Sequence, residues 1–240
     1  MSVRSIAKAI IPAGIRRRLQ YQNLLFSQPR AIRKLAEHGA SDEAIFSAVV
    51  NSPTVYTLQK QPEILGLVNL CRDLKAEIIC EIGTQQGGTL ILLMQLVPSL
   101  VQLVSLDIHM PFNRQLALKR ARRKQHQLRF IVGDSKDRTT LQELERSLAG
   151  RKLDVLFIDG DHSFAGVKHD FEMYSPLVRP GGLIAFHDIV PDYAHSRGVV
   201  TGRRTGDVPE FWKTVKDAYP SRELIDDPEQ DGFGIGVLFV

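Results

Sequence analysis

The chain has 240 residues, 43% of them apolar and 24% charged, which is enough for one α/β domain with a modest appendage. No apolar run approaches the ~20 residues that cross a bilayer, and no apolar core with a cleavage site follows the basic start, so neither a span nor a secretory signal is expected. Cys71 and Cys80 are the only cysteines and are not clustered, which argues against a disulfide framework or a cysteine zinc site and fits a cytoplasmic location.

Net charge is only +4, but the charge is uneven. Lys8, Arg16, Arg17, Arg18, Arg30 and Arg33 precede the first acid, Glu37. A second basic run holds Arg114, Lys119, Arg120, Arg122, Arg123, Lys124 and Arg129. Either run suits a solvated helix face or an anionic partner. No aromatic residues interleave with the second run, so no nucleic-acid partner is expected. Ile6, Ala9, Ile10, Ile11 and Ile15 mix with the first basic run in an order that suits peripheral contact with a membrane, although Pro12 and Gly14 interrupt it.

In chain order, residues 1–60 form a helical, basic segment that would serve as a lid or partner contact. Pro29 precedes a helix over Ala31–His38, and Ser41-Asp42-Glu43 caps another over Asp42–Asn51. Residues 61–240 alternate strand and helix. The pattern predicts helix Pro62–Arg72, strand Glu77–Glu81, helix Gly88–Val97, strand Leu103–Leu106 and a basic helix Arg114–Gln125. Next come strand Phe130–Val132, helix Thr139–Leu148, strand Leu153–Ile158, helix Phe164–Leu177 and strand Gly182–Phe186. A helix over Val208–Tyr219 and two strands, Glu223–Ile225 and Gly234–Phe239, close the chain. The turn signals Asp227-Pro228 and Asp231-Gly232 make that last pair an antiparallel hairpin. The expected fold is a Rossmann-like, doubly wound α/β domain with a mostly parallel sheet.

Between the first strand and its helix lies Glu81-Ile82-Gly83-Thr84-Gln85-Gln86-Gly87-Gly88-Thr89. Glycines let backbone approach a ligand closely, and a helix N-terminus offers unpaired N–H groups. The spacing is not that of the dinucleotide fingerprint, which disfavours a dehydrogenase. It resembles the first motif of class I S-adenosylmethionine-dependent methyltransferases. In open α/β sheets ligands bind at the carboxyl ends of the strands. There the chain sets Glu81, Asp107, Asp134, Asp159 and Asp188, one acid per end.

The stretches Asp154-Val155-Leu156-Phe157-Ile158-Asp159-Gly160-Asp161-His162 and Pro180-Gly181-Gly182-Leu183-Ile184-Ala185-Phe186-His187-Asp188 carry the strongest resemblance. They are similar to the methyltransferase branch that includes cephalosporin-hydroxylase-like proteins and macrolide or sugar O-methyltransferases. The resemblance covers roughly Gln61 to Val240 and implies a seven-stranded sheet with an antiparallel last strand. It implies S-adenosyl-L-methionine bound by Glu81, Gly83, Thr84, Gly87, Gly88, Thr89, Asp107, Ile108, Asp134, Ser135 and Asp159. Asp107 would accept hydrogen bonds from the ribose, and Asp134 and Ser135 would meet the adenine. It also implies a metal site at Asp159, His187 and Asp188. Related enzymes use Mg²⁺, and an imidazole at position 187 shifts the choice toward Mn²⁺ or Zn²⁺.

His162, with an ordinary pKa near ~6.5, is the expected general base, and Asp159 and Asp188 join it as catalytic residues. The long connection Ile189–Asp207, with His195, Arg197, Arg203 and Arg204, has the length of a functional lid whose arginines would read an anionic group. The expected activity is O-methylation of a small molecule, sugar or glycan intermediate, with a homo-oligomer allowed. Two other readings remain. One is a cofactor-binding scaffold at a membrane or partner surface. The other is an oxygenase using His162, His187 and Asp188.

Overall fold

The apolar runs become the strands of one seven-stranded sheet in a computed structural model that describes residues 13–240. The strands are β1 Ile78–Ile82, β2 Gln102–Asp107, β3 Gln127–Val132, β4 Leu153–Ile158, β5 Val178–His187, β6 Ser221–Leu224 and β7 Ile235–Phe239. Their order is β3-β2-β1-β4-β5-β7-β6. β7 runs antiparallel to both β5 and β6, while the pairs among β1 to β5 are parallel. The expected fold class and terminal hairpin are therefore what the chain adopts. β1 is buried along its whole length, as a central parallel strand must be, whereas the edge strand β3 buries only Leu128 and Ile131, one on each face.

The helices are α1 Ala13–Glu37, α2 Asp42–Val50, α3 Gln61–Asp73, α4 Gly88–Leu96, α5 Phe112–Lys119, α6 Arg138–Leu148, α7 Phe164–Tyr174, α8 Tyr193–Arg197 and α9 Val208–Val215. One face of the sheet packs Leu25, Ile32, Phe46, Leu67 and Leu90 against Ile79 and Phe157. The other packs Leu144, Tyr174, Phe211 and Trp212 against Cys80, Leu156 and Phe186. The described part of the N-terminal segment thus shares its core with the sheet. Ile6, Ala9, Ile10 and Ile11, which shaped the membrane reading, lie outside the described residues.

Several boundaries differ from expectation, and three of them have a plain physical reason. α1 does not begin after Pro29 but runs through it. Pro29 is buried between Leu25 and Ile32, and that packing offsets the cost of about 3 kcal/mol for a proline inside a helix. The basic helix ends at Lys119 rather than Gln125. Beyond the buried Ala121 come Arg122, Arg123, Lys124 and Gln125, which give another turn nothing to bury. The chain instead closes a turn in which His126 Nδ1 accepts from the Arg123 N–H at 3.1 Å. β3 starts earlier than its apolar run because backbone pairing with β2 already begins at Gln127 opposite Gln102.

Candidate active site

β1 and β4 are neighbours at the centre of the sheet, and their crossovers leave in opposite directions to β2 and β5. Such a switch point opens a crevice at the carboxyl ends. A cavity of about 670 Å³ lies there. Ile82, Gly83, Thr84, Gly88, Thr89, Asp107, Ile108, Asp134, Ser135, Asp159, His162, His187 and Asp188 all line it. Of the residues expected to hold cofactor, only Glu81 and Gly87 do not line it.

The glycine turn is shaped by the chain's own contacts. Gly83 has φ +85°, and a Cβ there would strike the Asp159 carbonyl. A Cβ on Gly88 would strike the backbone of Tyr56 and Thr57. Gly87, at φ +82°, is the N-cap of α4. Asp107 latches this turn: one carboxylate oxygen accepts from the Thr84 and Gln85 N–H groups, both at 2.8 Å. Its other oxygen accepts from the His109 N–H at 2.7 Å. Glu81 stands behind the cavity wall, buried, with Oε2 unpartnered. Burial, with the Asp159 carboxylate nearby, pushes its pKa well above the carboxylate range.

At the other end of the cavity two carboxylates and two imidazoles meet. His162 Nε2 is 3.4 Å from Asp159 Oδ1, and its Nδ1 is 3.4 Å from Asp188 Oδ2. His187 Nδ1 is 3.2 Å from Asp159 Oδ1 and 3.5 Å from Asp188 Oδ1. The hydrogen bond to Asp159 raises His162 to about 9 despite partial burial. Burial opposes charge on His187, yet the Asp159 and Asp188 carboxylates bring it to about 9 as well. Burial likewise works against Asp159, but the two imidazoles hold it at about 2. Burial raises Asp188. Asp188 sits at φ +63°, an uncommon conformation for a residue with a side chain, where its Oδ1 accepts from the Phe233 N–H at 3.1 Å.

Asp159, His162 and Asp188 each offer a ligand atom, all within 4.8 Å of one another, so this trio is the tighter metal candidate. His187, the expected ligand, instead turns Nδ1 to Asp159 and leaves a buried Nε2 unpartnered. Two carboxylates and an imidazole suit a divalent ion that accepts nitrogen as well as oxygen.

Sequence reasoning missed the strap Tyr56–Gln59, which lines the cavity. Gln59 Nε2 donates to Asp159 Oδ2 at 3.1 Å, and the Thr57 and Thr89 hydroxyls bond at 3.0 Å. Gly88 was the available signal, because its close approach is to this strap. Arg114 and Lys136 also line the cavity. The lid residues behave differently from expectation. His195 Nδ1 bonds Asp192 Oδ1 at 2.7 Å rather than facing the cavity. Arg197 pairs with Glu229 at 2.7 Å. The Arg203 guanidinium lies 4.1 Å from the Phe233 ring centroid. The Arg204 carbonyl is 3.2 Å from His162 Nδ1.

Residues 80–189 match a family model described as a methyltransferase domain. An uncharacterized protein of Acanthamoeba polyphaga mimivirus is 34% identical over 124 residues, 50% of this chain and 54% of the relative. The chain thus matches about half the length of that curated relative. Among solved structures, an O-methyltransferase from Bacillus cereus in complex with SAH superposes with a TM-score of 0.57 at 20% identity, over 86% of this chain and 91% of that one. The MycE methyltransferase of mycinamycin biosynthesis, in complex with Mg and SAH, gives 0.56 at 21% identity, over 83% of this chain and 54% of that one. The sequence match and the fold agree: residues 80–189 match a methyltransferase domain, and the chain adopts the fold of these solved methyltransferases.

Proposed function

We propose that the protein is an S-adenosylmethionine-dependent O-methyltransferase acting on a hydroxyl of a small molecule, sugar or glycan intermediate. The observation that carries this reading is one cavity with two chemically distinct ends. The glycine turn and Asp107 suit a nucleoside, and the Asp159–His162–His187–Asp188 cluster suits a hydroxyl that must lose its proton. Solved relatives of the same fold contain SAH, and MycE contains Mg as well, which supports the reading.

Thr84, Thr89 and the turn backbone would hold the amino-acid part of the cofactor against the N-terminus of α4. Asp107 would accept the ribose hydroxyls on its remaining lone pairs. Ile108, Asp134 and Ser135 would flank the adenine. Transfer from sulfur to oxygen then depends mainly on alignment, because the sulfonium is already reactive. Asp159, His162 and Asp188 would hold a divalent cation, with His187 behind Asp159. Such an ion would lower the acceptor hydroxyl's pKa and fix its oxygen. Gln59 orients the second oxygen of Asp159.

The test is calorimetric titration with S-adenosylmethionine, in chelator and then with Mn²⁺ or Mg²⁺. Micromolar binding is expected, and its absence under every condition would overturn the reading. Asp107→Ala is expected to weaken cofactor binding about a hundredfold, the loss of two charge-assisted contacts. Asp188→Ala is expected to keep the cofactor and lower methyl transfer at least about a hundredfold once an acceptor is found. Undiminished transfer by Asp188→Ala would remove the cluster from the chemistry.

A further inference from the structure

Charge on this molecule is segregated. Residues 13–36 hold Arg16, Arg17, Arg18, Arg30, Arg33 and Lys34 and no acid. Residues 108–133 hold the seven basic residues from Arg114 to Arg129 and no acid. The fold brings these stretches together. α1 packs on α5, the Arg120 guanidinium lies 5.1 Å from the Phe26 ring centroid, and Arg33 donates to the Arg122 carbonyl at 3.2 Å. Thirteen of the 31 cations are therefore gathered at one pole, where Glu37 pairs with Arg33 and Glu143 lies beside Lys119 and Arg129, and the rest of the chain carries more acids than bases. Burial, with Arg123 and Arg122 nearby, lowers His126 to about 4.

The same pole leaves large apolar side chains in water. Ile108 is 71% exposed, Phe112 70% and Leu116 38%. Phe112 and Leu116 are one helical turn apart and share a face. On α1, Ile15 and Leu19 are again one turn apart, 52% and 50% exposed, beside exposed Arg16, Arg17 and Arg18. Single exposed apolar residues are ordinary, but repeated ones among cations mark a contact surface.

We propose that this pole docks on an anionic lipid surface, with Phe112, Leu116, Ile15 and Leu19 entering the headgroup layer while the arginines and lysines meet lipid phosphates. Basic residues around a modest apolar insert are the chemistry of interfacial binding. A second copy presenting the same pole would be repelled. A nucleic acid would use the cations and leave the aliphatic side chains without a role. Ile108 and Arg114 belong to this stretch and line the cavity, as does exposed Leu58. Docking therefore brings the cavity mouth to the lipid surface. The proposal does not depend on methyl transfer.

The experiment is co-sedimentation of the full chain with vesicles of phosphatidylcholine alone or mixed with phosphatidylglycerol, across a salt series. Binding is expected only to the mixed vesicles and should weaken as salt shortens the Debye length. The double change Arg17→Gln, Arg18→Gln is expected to weaken it about thirtyfold. The double change Phe112→Ser, Leu116→Ser, which leaves charge unaltered, is expected to weaken it at least about tenfold. These four side chains are exposed, so thermal melting should match the parent's. Equal affinity for both vesicles, or unchanged affinity after the Phe112 and Leu116 substitutions, would overturn the proposal. So would displacement from mixed vesicles by a duplex RNA, or self-association that the Phe112 and Leu116 substitutions abolish.

Discussion

Gly83 and Gly88 are required by the chain before any ligand is considered. Each lies where backbone from another segment passes, Asp159 behind Gly83 and Tyr56–Thr57 across Gly88. Gly88→Ala would force its new methyl group into the strap, and a misfit of that size costs about 1–3 kcal/mol. The expected outcome is a lower thermal midpoint together with weaker cofactor binding, because the displaced strap carries Gln59 away from Asp159. A Gly88→Ala protein with an unchanged midpoint would show the strap to be loosely held. The sequence made these glycines legible as a close backbone approach. It did not reveal which backbone approaches, because Tyr56 and Gly88 meet only when α2, α3 and α4 pack. Glu81 illustrates the same division. Its position after a buried strand was readable, but its place behind the wall follows from β1 lying centrally between β2 and β4.

At the scale of elements, the connection from β5 to α9 is the least predictable part of the site. Asp192 pins both of its ends. One oxygen caps α8 by accepting from the His195 N–H at 3.0 Å, and the other accepts from the Thr205 N–H at 3.1 Å. Side-chain and backbone hydrogen bonds from His195 and Thr205 outweigh burial and hold the Asp192 pKa at about 2. A folded pKa below the unfolded value near ~3.9 stabilises the fold fully above that value, and the contribution is lost as pH falls through about 2. Asp192→Ala is expected to cost about 3 kcal/mol in urea denaturation at neutral pH, with the difference shrinking as pH falls toward about 2. A pH-independent difference would separate the stabilisation from the carboxylate's charge. The sequence showed a long, arginine-rich connection. The partners that decide its shape, such as Asp231 for the Tyr193 N–H and Glu229 for Arg197, are more than thirty residues away and were not readable.

Across the whole molecule, the N-terminal segment completes the domain. Leu25, Ile32, Ile45, Phe46 and Val49 are buried in the same core as Leu67, Leu90 and Phe157. Arg72 joins the two parts by a two-pronged pair with Asp42, at 2.6 Å and 2.9 Å. A chain beginning at residue 61 would expose α3 and α4 and lose the strap. It is expected to bind a hydrophobic dye, to lack a cooperative thermal transition and to bind no S-adenosylmethionine. A cooperatively folding 61–240 fragment would instead mark the first sixty residues as an appendage.

Periodicity and turn chemistry determined the order of strands and helices in this protein, since alternating apolar runs and glycine turns act over a few residues. The acids at the strand ends were determined in the same way, because each follows its strand directly. Only the tertiary structure decided which of those acids meet. Asp159 and Asp188 converge on His162 because β4 and β5 are neighbours in register, with Ile158 opposite Phe186. Tertiary structure alone also decided that two acid-free stretches some ninety residues apart would form one positive pole, because the packing of α1 on α5 is a long-range contact that no local pattern encodes.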